Sequence, residues 1–512
     1  MIEYQAGHFE AAIASIREAI TRSHKNATYH SNLGTVYHAL GRLEEAATCY
    51  RQAAALEPDL ATAHYNLGNI LHAQEKLDEA AAAYERALRL KPDLAEAHYN
   101  LGNVFQSRGK PDSAVTCYEH AIAIEPAKYE AIHNLGNALQ AQGKLQEACR
   151  CYERALTIAP DYAKAHYSLA AALHSQGNLD AALQGYRTAL RLDPDFADAR
   201  FAEALAHLFK GDFERGWRGY ELRWQTKEQT PPMRPYAQPL WRGEKLAAGR
   251  LLIWGEQGIG DEIMFSGLLP EAIRTGNSCV LDCDTRLKPL FARSFPGLEA
   301  VSSHDSGRDP ANDPAMQISA HLPMGSLPGL FRRDASAFAA TRSPYLLANS
   351  AARDHFRAKY SDGRRLAGIA WYTNNKKTGS TRSIDLARLA PLLARPDTRW
   401  VSLQYGDHDT LQRQASAAGV PLLIDREVNQ FHDVDLFASQ VAAMDLVITI
   451  DNSTAHLAGA LGIPSWVLLP FAADWRWLEK GDDSPWYPGM RLFRQPSPGD
   501  WQPVLRQVGR AL

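Results

Sequence analysis

The sequence predicts an α-helical repeat solenoid followed by an α/β region of two open-sheet lobes. Three observations carry this expectation. Several residue columns recur every 34 positions through the first half of the chain. The recurrence stops after Trp224, where a stretch with Pro231, Pro232 and Pro235 follows. Beyond it, short apolar runs alternate with helical stretches, the pattern of a parallel sheet covered by helices.

The columns each have a physical meaning. Pro58, Pro92, Pro126, Pro160 and Pro194 share the 34-residue step, as do Leu33, Leu67, Leu101, Leu135 and Leu169. So do Tyr50, Tyr84, Tyr118, Tyr152, Tyr186 and Tyr220, and Ala46, Ala80, Ala114, Ala148 and Ala182. A Leu-Gly pair such as Leu33-Gly34 sets a large side chain beside one small enough for a neighbouring helix to come close. The tyrosine is the large core filler, and each proline ends one helix and starts a connection. Gly41, Gly109, Gly143, Gly177 and Gly211 fall between helices, where a residue without Cβ tolerates positive φ. Full repeats are expected near 27–60, 61–94, 95–128, 129–162 and 163–196, with a degenerate sixth at 197–230. Residues 1–26 read as the second half of an earlier repeat, either a cap or the continuation of a longer array. These columns resemble the tetratricopeptide family.

Repeats of this kind stack into a superhelix with a concave groove. Asn32, Asn66, Asn100 and Asn134 form one polar column on the first helices, continued by Ser168. Asn69, Asn103 and Asn137 lie three residues on, on the same helical face. Such amides offer donors and acceptors to an extended peptide backbone. The arrangement resembles the asparagine ladder of the nucleocytoplasmic O-GlcNAc transferases, which implies a protein or peptide acceptor in the groove. The same residues suit a purely structural column in the repeat, and spacing does not separate the two.

The linker is placed at 231–239. Strands are expected at 250–254 and 278–282, then a loop-rich, proline-rich stretch at 296–330. A second block has strands at 366–371, 400–403, 421–424, 446–450 and 465–469. This gives a solenoid at 1–230, a Rossmann-like lobe at 240–345, and a second lobe at 346–512 ending in a helix. Ligands of open α/β sheets bind outside the carboxyl ends of the strands, so the loops there are the candidate sites.

Two loops stand out. Gly255-Glu-Gln-Gly258-Ile-Gly260-Asp261-Glu262 follows a strand and opens a helix, with Gly258 and Gly260 suited to close approach by a phosphate or acceptor. It lacks the Gly-Lys-Ser/Thr of a nucleotide-triphosphate loop. An acidic residue at a helix start is also a plain cap. The second loop is Asp451-Asn452-Ser453-Thr454-Ala455-His456. Ser453 and Thr454 suit a helix N-cap, whose first-turn N–H groups suit a diphosphate, with His456 one turn on. A structural cap with a core histidine fits the spacing equally well.

Together the loops resemble glycosyltransferase family 9, the ADP-heptose:lipopolysaccharide heptosyltransferases. Asp451-Asn452-Ser453-x-x-His456, with Leu457-Ala458 and Leu461-Gly462-x-Pro464, parallels that family's Asp-Thr-Gly-x-x-His motif and the Leu-Ala…Leu-Gly-x-Pro after it. Asn452 and Ser453 stand where the family has Thr-Gly. The resemblance spans roughly 240–512 and implies a metal-independent, inverting GT-B transferase. It assigns Asp261 as catalytic base and Asp451, Asn452, Ser453 and His456 to the donor loop, which Thr454 joins by position. It implies a basic donor contact after the first strand of the second lobe, Arg382 first and Lys377 second, and an acidic one at Asp407. Asp474-Trp475-Arg476-Trp477 and Trp486-Tyr487 also resemble repeat-linked members, with packing the expected role of the tryptophans.

Composition limits the alternatives. Net charge is −3, which gives no basic field for nucleic acid or anionic lipid. No polar-then-apolar leader opens the chain and no apolar run suits a membrane span, so a cytoplasmic protein is expected. The six cysteines form no CxxC pair, so free thiols are expected and no metal or cofactor. The function expected is transfer of a sugar from a nucleotide sugar, its substrate, to a protein or peptide hydroxyl. Transfer to a saccharide or lipid is the second possibility, and a non-catalytic repeat scaffold the third.

Overall fold

The computed structural model describes residues 7–226, 233–303, 309–375 and 379–512. These divide into two compact units, Met1–Asp195 and Phe196–Leu512.

The first unit is a helical solenoid. It begins with α1 (Phe9–Arg22) and continues in antiparallel pairs: α2 (Ala27–Ala39) with α3 (Leu43–Leu56), α4 (Ala61–Ala73) with α5 (Leu77–Leu90), and α6 (Ala95–Ser107) with α7 (Pro111–Ile124). Then come α8 (Tyr129–Ala141) with α9 (Leu145–Ile158) and α10 (Ala163–Ser175) with α11 (Leu179–Leu192). The alanine column is fully buried, and so are Tyr50, Tyr84, Tyr118, Tyr152 and Tyr186. The Leu-Gly column exists for the tyrosine: a Cβ on Gly68 would lie 2.6 Å from the Tyr84 ring, and one on Gly136 2.5 Å from Tyr152. In the fifth repeat this glycine becomes Ala170, and Gly185 appears on the facing helix, where a Cβ would meet the Ala170 methyl at 2.8 Å. The small residue has changed sides of the same contact. Positive φ recurs at Gly41, Gly109, Gly143, Gly177 and Gly211, and Glu75 takes that conformation in the second repeat at φ 60°.

The degenerate repeat, α12 (Ala197–Lys210) and α13 (Phe213–Tyr220), is helical as expected but belongs to the second unit. The division between the compact units thus falls at 195, inside the repeat pattern expected to run to 230. The reason is packing. Trp217 donates its Nε1–H to the Arg332 carbonyl at 2.8 Å, and its ring lies 5.4 Å from that of Trp475. Arg223, fully buried, donates from Nε to Glu256 Oε2 at 3.1 Å and from Nη2 to Oε1 at 3.0 Å. The described part of the expected linker also packs: the Tyr236 ring lies 4.9 Å from that of His321.

The first lobe holds β1 (Arg250–Trp254), α14 (Ile259–Ser266), α15 (Leu269–Arg274), β2 (Ser278–Asp282), α16 (Lys288–Ser294), β3 (Glu299–Val301), β4 (Ile318–Pro323) and α17 (Leu327–Phe331). Its sheet is parallel, in the order β3-β2-β1-β4. β3 and β4 fall in the stretch expected to be loop. β3 has three residues, and β4 reads Ile-Ser-Ala-His-Leu-Pro, whose serine, histidine and proline hide a strand buried at its end. The second lobe runs α18 (Ser350–Tyr360), β5 (Arg365–Ala370), α19 (Gly379–Arg382), α20 (Leu386–Leu393), β6 (Thr398–Ser402), α21 (His408–Ala417), β7 (Leu422–Leu423), α22 (Val434–Ala442), β8 (Leu446–Ile450), α23 (Ser453–Ala460), β9 (Ser465–Leu469), β10 (Met490–Arg494) and α24 (Gln502–Ala511). Its parallel sheet has the order β10-β9-β8-β5-β6-β7. Among the described residues no helix is long and apolar enough to cross a membrane, and no cluster of His, Cys, Asp and Glu is placed to hold a metal ion.

Candidate functional site

Strand order decides where the site lies. In the first lobe the chain moves outward from β1 to β2 and β3, then returns to place β4 on the other side of β1. In the second it moves from β5 to β6 and β7, then returns to place β8 beside β5. Loops leaving β1 and β8 thus start at the two reversal points, where crevices open at the carboxyl ends of strands. The first loop leads to α14 and Asp261, the second to α23 and His456.

α14 and α23 abut. A Cβ on Gly260 would come within 3.2 Å of His456 Cδ2 and 3.6 Å of Ser453 Cα. Gly260 therefore makes room for the other lobe, and Gly255 makes room for the Glu262 carboxylate. The position of a Cβ on Gly258 is open. Beside this contact lies a cavity of about 560 Å³, lined by Asp261 and Arg286 from the first lobe and by Arg382, Asp451–Thr454, His456, Asp474 and Arg476 from the second.

The charged groups form a chain across it. Arg382 Nη1 is 3.0 Å from Asp451 Oδ2, and its Nη2 is 3.6 Å from Asp474 Oδ2. Asp474 Oδ1 accepts from Arg476 Nη1 at 2.6 Å, and Arg476 Nε donates to Asp261 Oδ1 at 2.9 Å, with Nη2 on the same oxygen. Burial and the neighbouring Asp474 push the Asp451 carboxyl up, against the pull of Arg382. Asp474 is held below the usual carboxylate range by its two arginines, which outweigh burial. His456 donates or accepts through Nδ1 at 2.9 Å from the Tyr487 hydroxyl and stacks on Trp477 at 5.2 Å. Burial, with Arg476 nearby, lowers its pKa to about 3, so it meets a ligand as a neutral imidazole.

The structure corrects several site expectations. The N-cap of α23 is Asn452, not Ser453 or Thr454: its Oδ1 accepts from the Thr454 N–H at 3.0 Å and the Ala455 N–H at 3.3 Å. Two of the N–H groups expected to face a diphosphate are thereby occupied, and positive charge for an anion comes from the arginines instead. Asn452 Nδ2 is buried without a hydrogen-bond partner among the described residues. Asp407 does not line the cavity. It caps α21, accepting from the Thr410 N–H at 2.8 Å and the Thr410 hydroxyl at 2.7 Å. Tyr405, two residues earlier, lines the cavity in its place and accepts at its hydroxyl from the Asn374 N–H at 2.7 Å. Lys377 lies outside the described residues. Trp475, Trp477 and Trp486 are buried packing residues. Asp474, just before Trp475, and Arg476, between Trp475 and Trp477, also line the cavity, although the resemblance assigns neither a role. The acid-x-basic spacing on a turn flanked by tryptophans was the signal available.

The asparagine column serves the solenoid itself. Asn100 Nδ2 donates to Asn69 Oδ1 at 3.0 Å, which also accepts from the Tyr84 hydroxyl at 2.7 Å. One repeat on, Asn134 Nδ2 donates to Asn103 Oδ1 at 2.9 Å, which accepts from Tyr118 at 2.8 Å. These two amide donors, equally suited by spacing to a peptide or to the repeat itself, stitch the third repeat to the second and the fourth to the third. Asn32 and Asn66 stand half-buried in the same column.

Comparisons with known proteins match family models over residues 1–211. Models described as tetratricopeptide repeat match residues 1–53, 95–127 and 117–150, and one described as TPR repeat matches 34–75, 68–109, 136–177 and 171–211. The chain carries tetratricopeptide repeats. They make it a protein-interaction scaffold through residue 211. Protein FlbA of Caulobacter vibrioides is 32% identical over 289 residues, 53% of this chain and 48% of that one. The chain thus spans about half the length of this relative. Similar solved structures include YrrB, titled a TPR protein with an unusual peptide-binding site (27% identity, 37% of this chain and 98% of that one, TM-score 0.34). MamA (28%, 32% and 95%, TM-score 0.31) and the type IV pilus biogenesis factor PilW (22%, 39% and 91%, TM-score 0.36) are others.

Proposed function

We propose that the second unit is a glycosyltransferase that moves a sugar from a nucleotide-sugar donor to a protein or peptide hydroxyl presented by the repeats. One observation carries the reading: a carboxylate from one lobe and two guanidiniums from the other line a single cavity at the strand reversal points. Three chemical needs of glycosyl transfer have a residue there. The acceptor oxygen attacks the anomeric carbon while the bond from that carbon to the diphosphate oxygen breaks. The hydroxyl proton passes to the Asp261 carboxylate, and the diphosphate leaves with the electron pair. Arg382 and Arg476 meet its growing charge, each charge-assisted hydrogen bond contributing about 1.5–3 kcal/mol. His456, neutral, adds a hydrogen bond rather than a charge. Burial in the interlobe cavity strengthens these contacts and excludes water from the donor.

The test uses the full chain with a panel of ADP-, GDP-, UDP- and CMP-sugars. One of them should raise the melting temperature by mass action. Arg382→Ala should abolish that shift. Asp261→Asn should keep it and lower transfer or donor hydrolysis by about 10²- to 10⁴-fold, the usual worth of a general base. A protein that no donor stabilises would leave only the repeat scaffold.

A further inference from the structure

We propose that Arg476 is a ligand of the donor diphosphate, and that its transfer to the diphosphate is what frees Asp261 to act; the inference rests on the transferase reading above. The Arg476 guanidinium has two carboxylate partners of different kinds. Asp474 shares its turn, caps it by accepting the Arg476 N–H at 3.1 Å, and also stands 3.6 Å from Arg382 Nη2. It is a fixed hub between the two arginines. Asp261 lies 215 residues away in sequence on the opposite lobe, and Arg476 reaches it only through Nε and Nη2.

That Nε–Nη2 edge is the one a guanidinium offers to two oxygens of a phosphate in parallel hydrogen bonds. At present both donors converge on one oxygen, Asp261 Oδ1. Charge makes this pairing the one to break. Arg382 and Arg476 already face three carboxylates, those of Asp261, Asp451 and Asp474. The third cavity arginine, Arg286, is paired with Asp284 at 2.7 Å. A diphosphate entering such a cluster needs a guanidinium edge released from a carboxylate. Asp451 and Asp474 are held on the arginines' own lobe, whereas Asp261 holds Arg476 only across the cavity. Exchange of Asp261 for phosphate satisfies the anion and leaves the carboxylate without its arginine when an acceptor proton must be taken. Arg476 is thus a donor-binding residue and a positioning residue for Asp261.

A binding cycle with the full chain separates this from simple charge effects. Wild type, Arg476→Gln, Asp261→Asn and the double variant are titrated calorimetrically with ADP, GDP, UDP and inorganic pyrophosphate, folding being checked by thermal melts. Arg476→Gln should weaken binding about 10- to 100-fold. Asp261→Asn should tighten it about threefold or more, by removing the competitor for Arg476. In the Arg476→Gln background Asp261→Asn should change nothing. Arg476→Lys, which keeps the charge and loses the fork, should bind between wild type and Arg476→Gln. An equal gain from Asp261→Asn in both backgrounds means plain charge repulsion and overturns the exchange, as does no gain in either. Lysine binding as tightly as arginine overturns the two-oxygen contact. If wild type binds none of the four probes, the donor reading itself fails.

Discussion

A single histidine shows how burial changes what a residue does. His456 sits at the position a sequence reading would give to a cationic phosphate contact, yet its ring is buried between Trp477 and Tyr487. With its pKa lowered to about 3 from an ordinary 6.5, the folded state binds a proton more weakly than the unfolded one. Stability from this group is therefore fully present above about pH 6.5 and lost as pH falls toward 3. Between pH 7 and pH 5 the loss is about 2 kcal/mol. His456→Gln removes the titration, so the stability difference between the two pH values should shrink by about that amount relative to wild type, other groups cancelling. Urea unfolding of both proteins at pH 7 and pH 5 measures it. An unchanged difference would mean that the ring takes up a proton as readily in the folded protein as in the unfolded one, and so becomes a cation toward the ligand below about pH 6.5.

At the scale of the element, the 34-residue period is a packing contract between paired helices. At the contact between the first and second helix of a repeat, one of the facing positions is glycine: on the first helix in the earlier repeats, on the second helix in the last two. Gly68 lies against the Tyr84 ring and Gly136 against the Tyr152 ring, whereas Ala170 faces Gly185 and Ala204 faces Gly219. Gly185→Ala should consequently destabilise by about 1–2 kcal/mol through overpacking, despite the better helix propensity of alanine. In an Ala170→Gly background the same change should stabilise by about 1 kcal/mol. A denaturation cycle measures the coupling, and additive effects would show that the swap is incidental. This contact also explains what the sequence disclosed. Every solenoid column repeats one steric demand, so five or six copies average out local accidents and the helices are legible from periodicity alone. The α/β half shows each demand once. β4 hides behind a serine and a histidine, and Asp407 looks like a ligand because a cap uses the same carboxylate. Arg476 becomes visible as a site residue only when the fold brings it to Asp261. The loops at 255–262 and 451–456 stood out because polar residues cluster where buried strands end, whereas Asp261 and Arg382 were singled out by the family resemblance, and all of them meet at one cavity.

For the molecule as a whole, the question is where the repeat half ends, and sequence and packing give different answers. The helical register runs on past Asp195 to Tyr220, yet the last pair packs within the same unit as the α/β lobes. Its residues there are not surface contacts. Arg223 is fully buried on Glu256, whose carboxyl burial pushes up to about 7 against the pull of that guanidinium. Trp217 joins Trp475 and Trp486 in one aromatic cluster, at 5.4 and 6.3 Å. Trp475 is the neighbour of Arg476, so the degenerate repeat braces the turn that carries the proposed donor contact. Cutting the chain at 232 would strip this bracing and leave Glu256 buried beside an empty place. Losing one partner of a buried ion pair costs about 3–5 kcal/mol, before any loss of aromatic packing. A fragment of residues 196–512 should therefore melt cooperatively and retain nucleotide binding, whereas one of residues 233–512 should melt far lower or fail to fold. Within the longer fragment, Arg223→Met should be tolerated much less well than Arg223→Met combined with Glu256→Gln, because the single change orphans the acid and the double change does not. Should the shorter fragment prove as stable as the longer, the sixth repeat is a mere cap of the solenoid and the unit boundary lies near 230 after all.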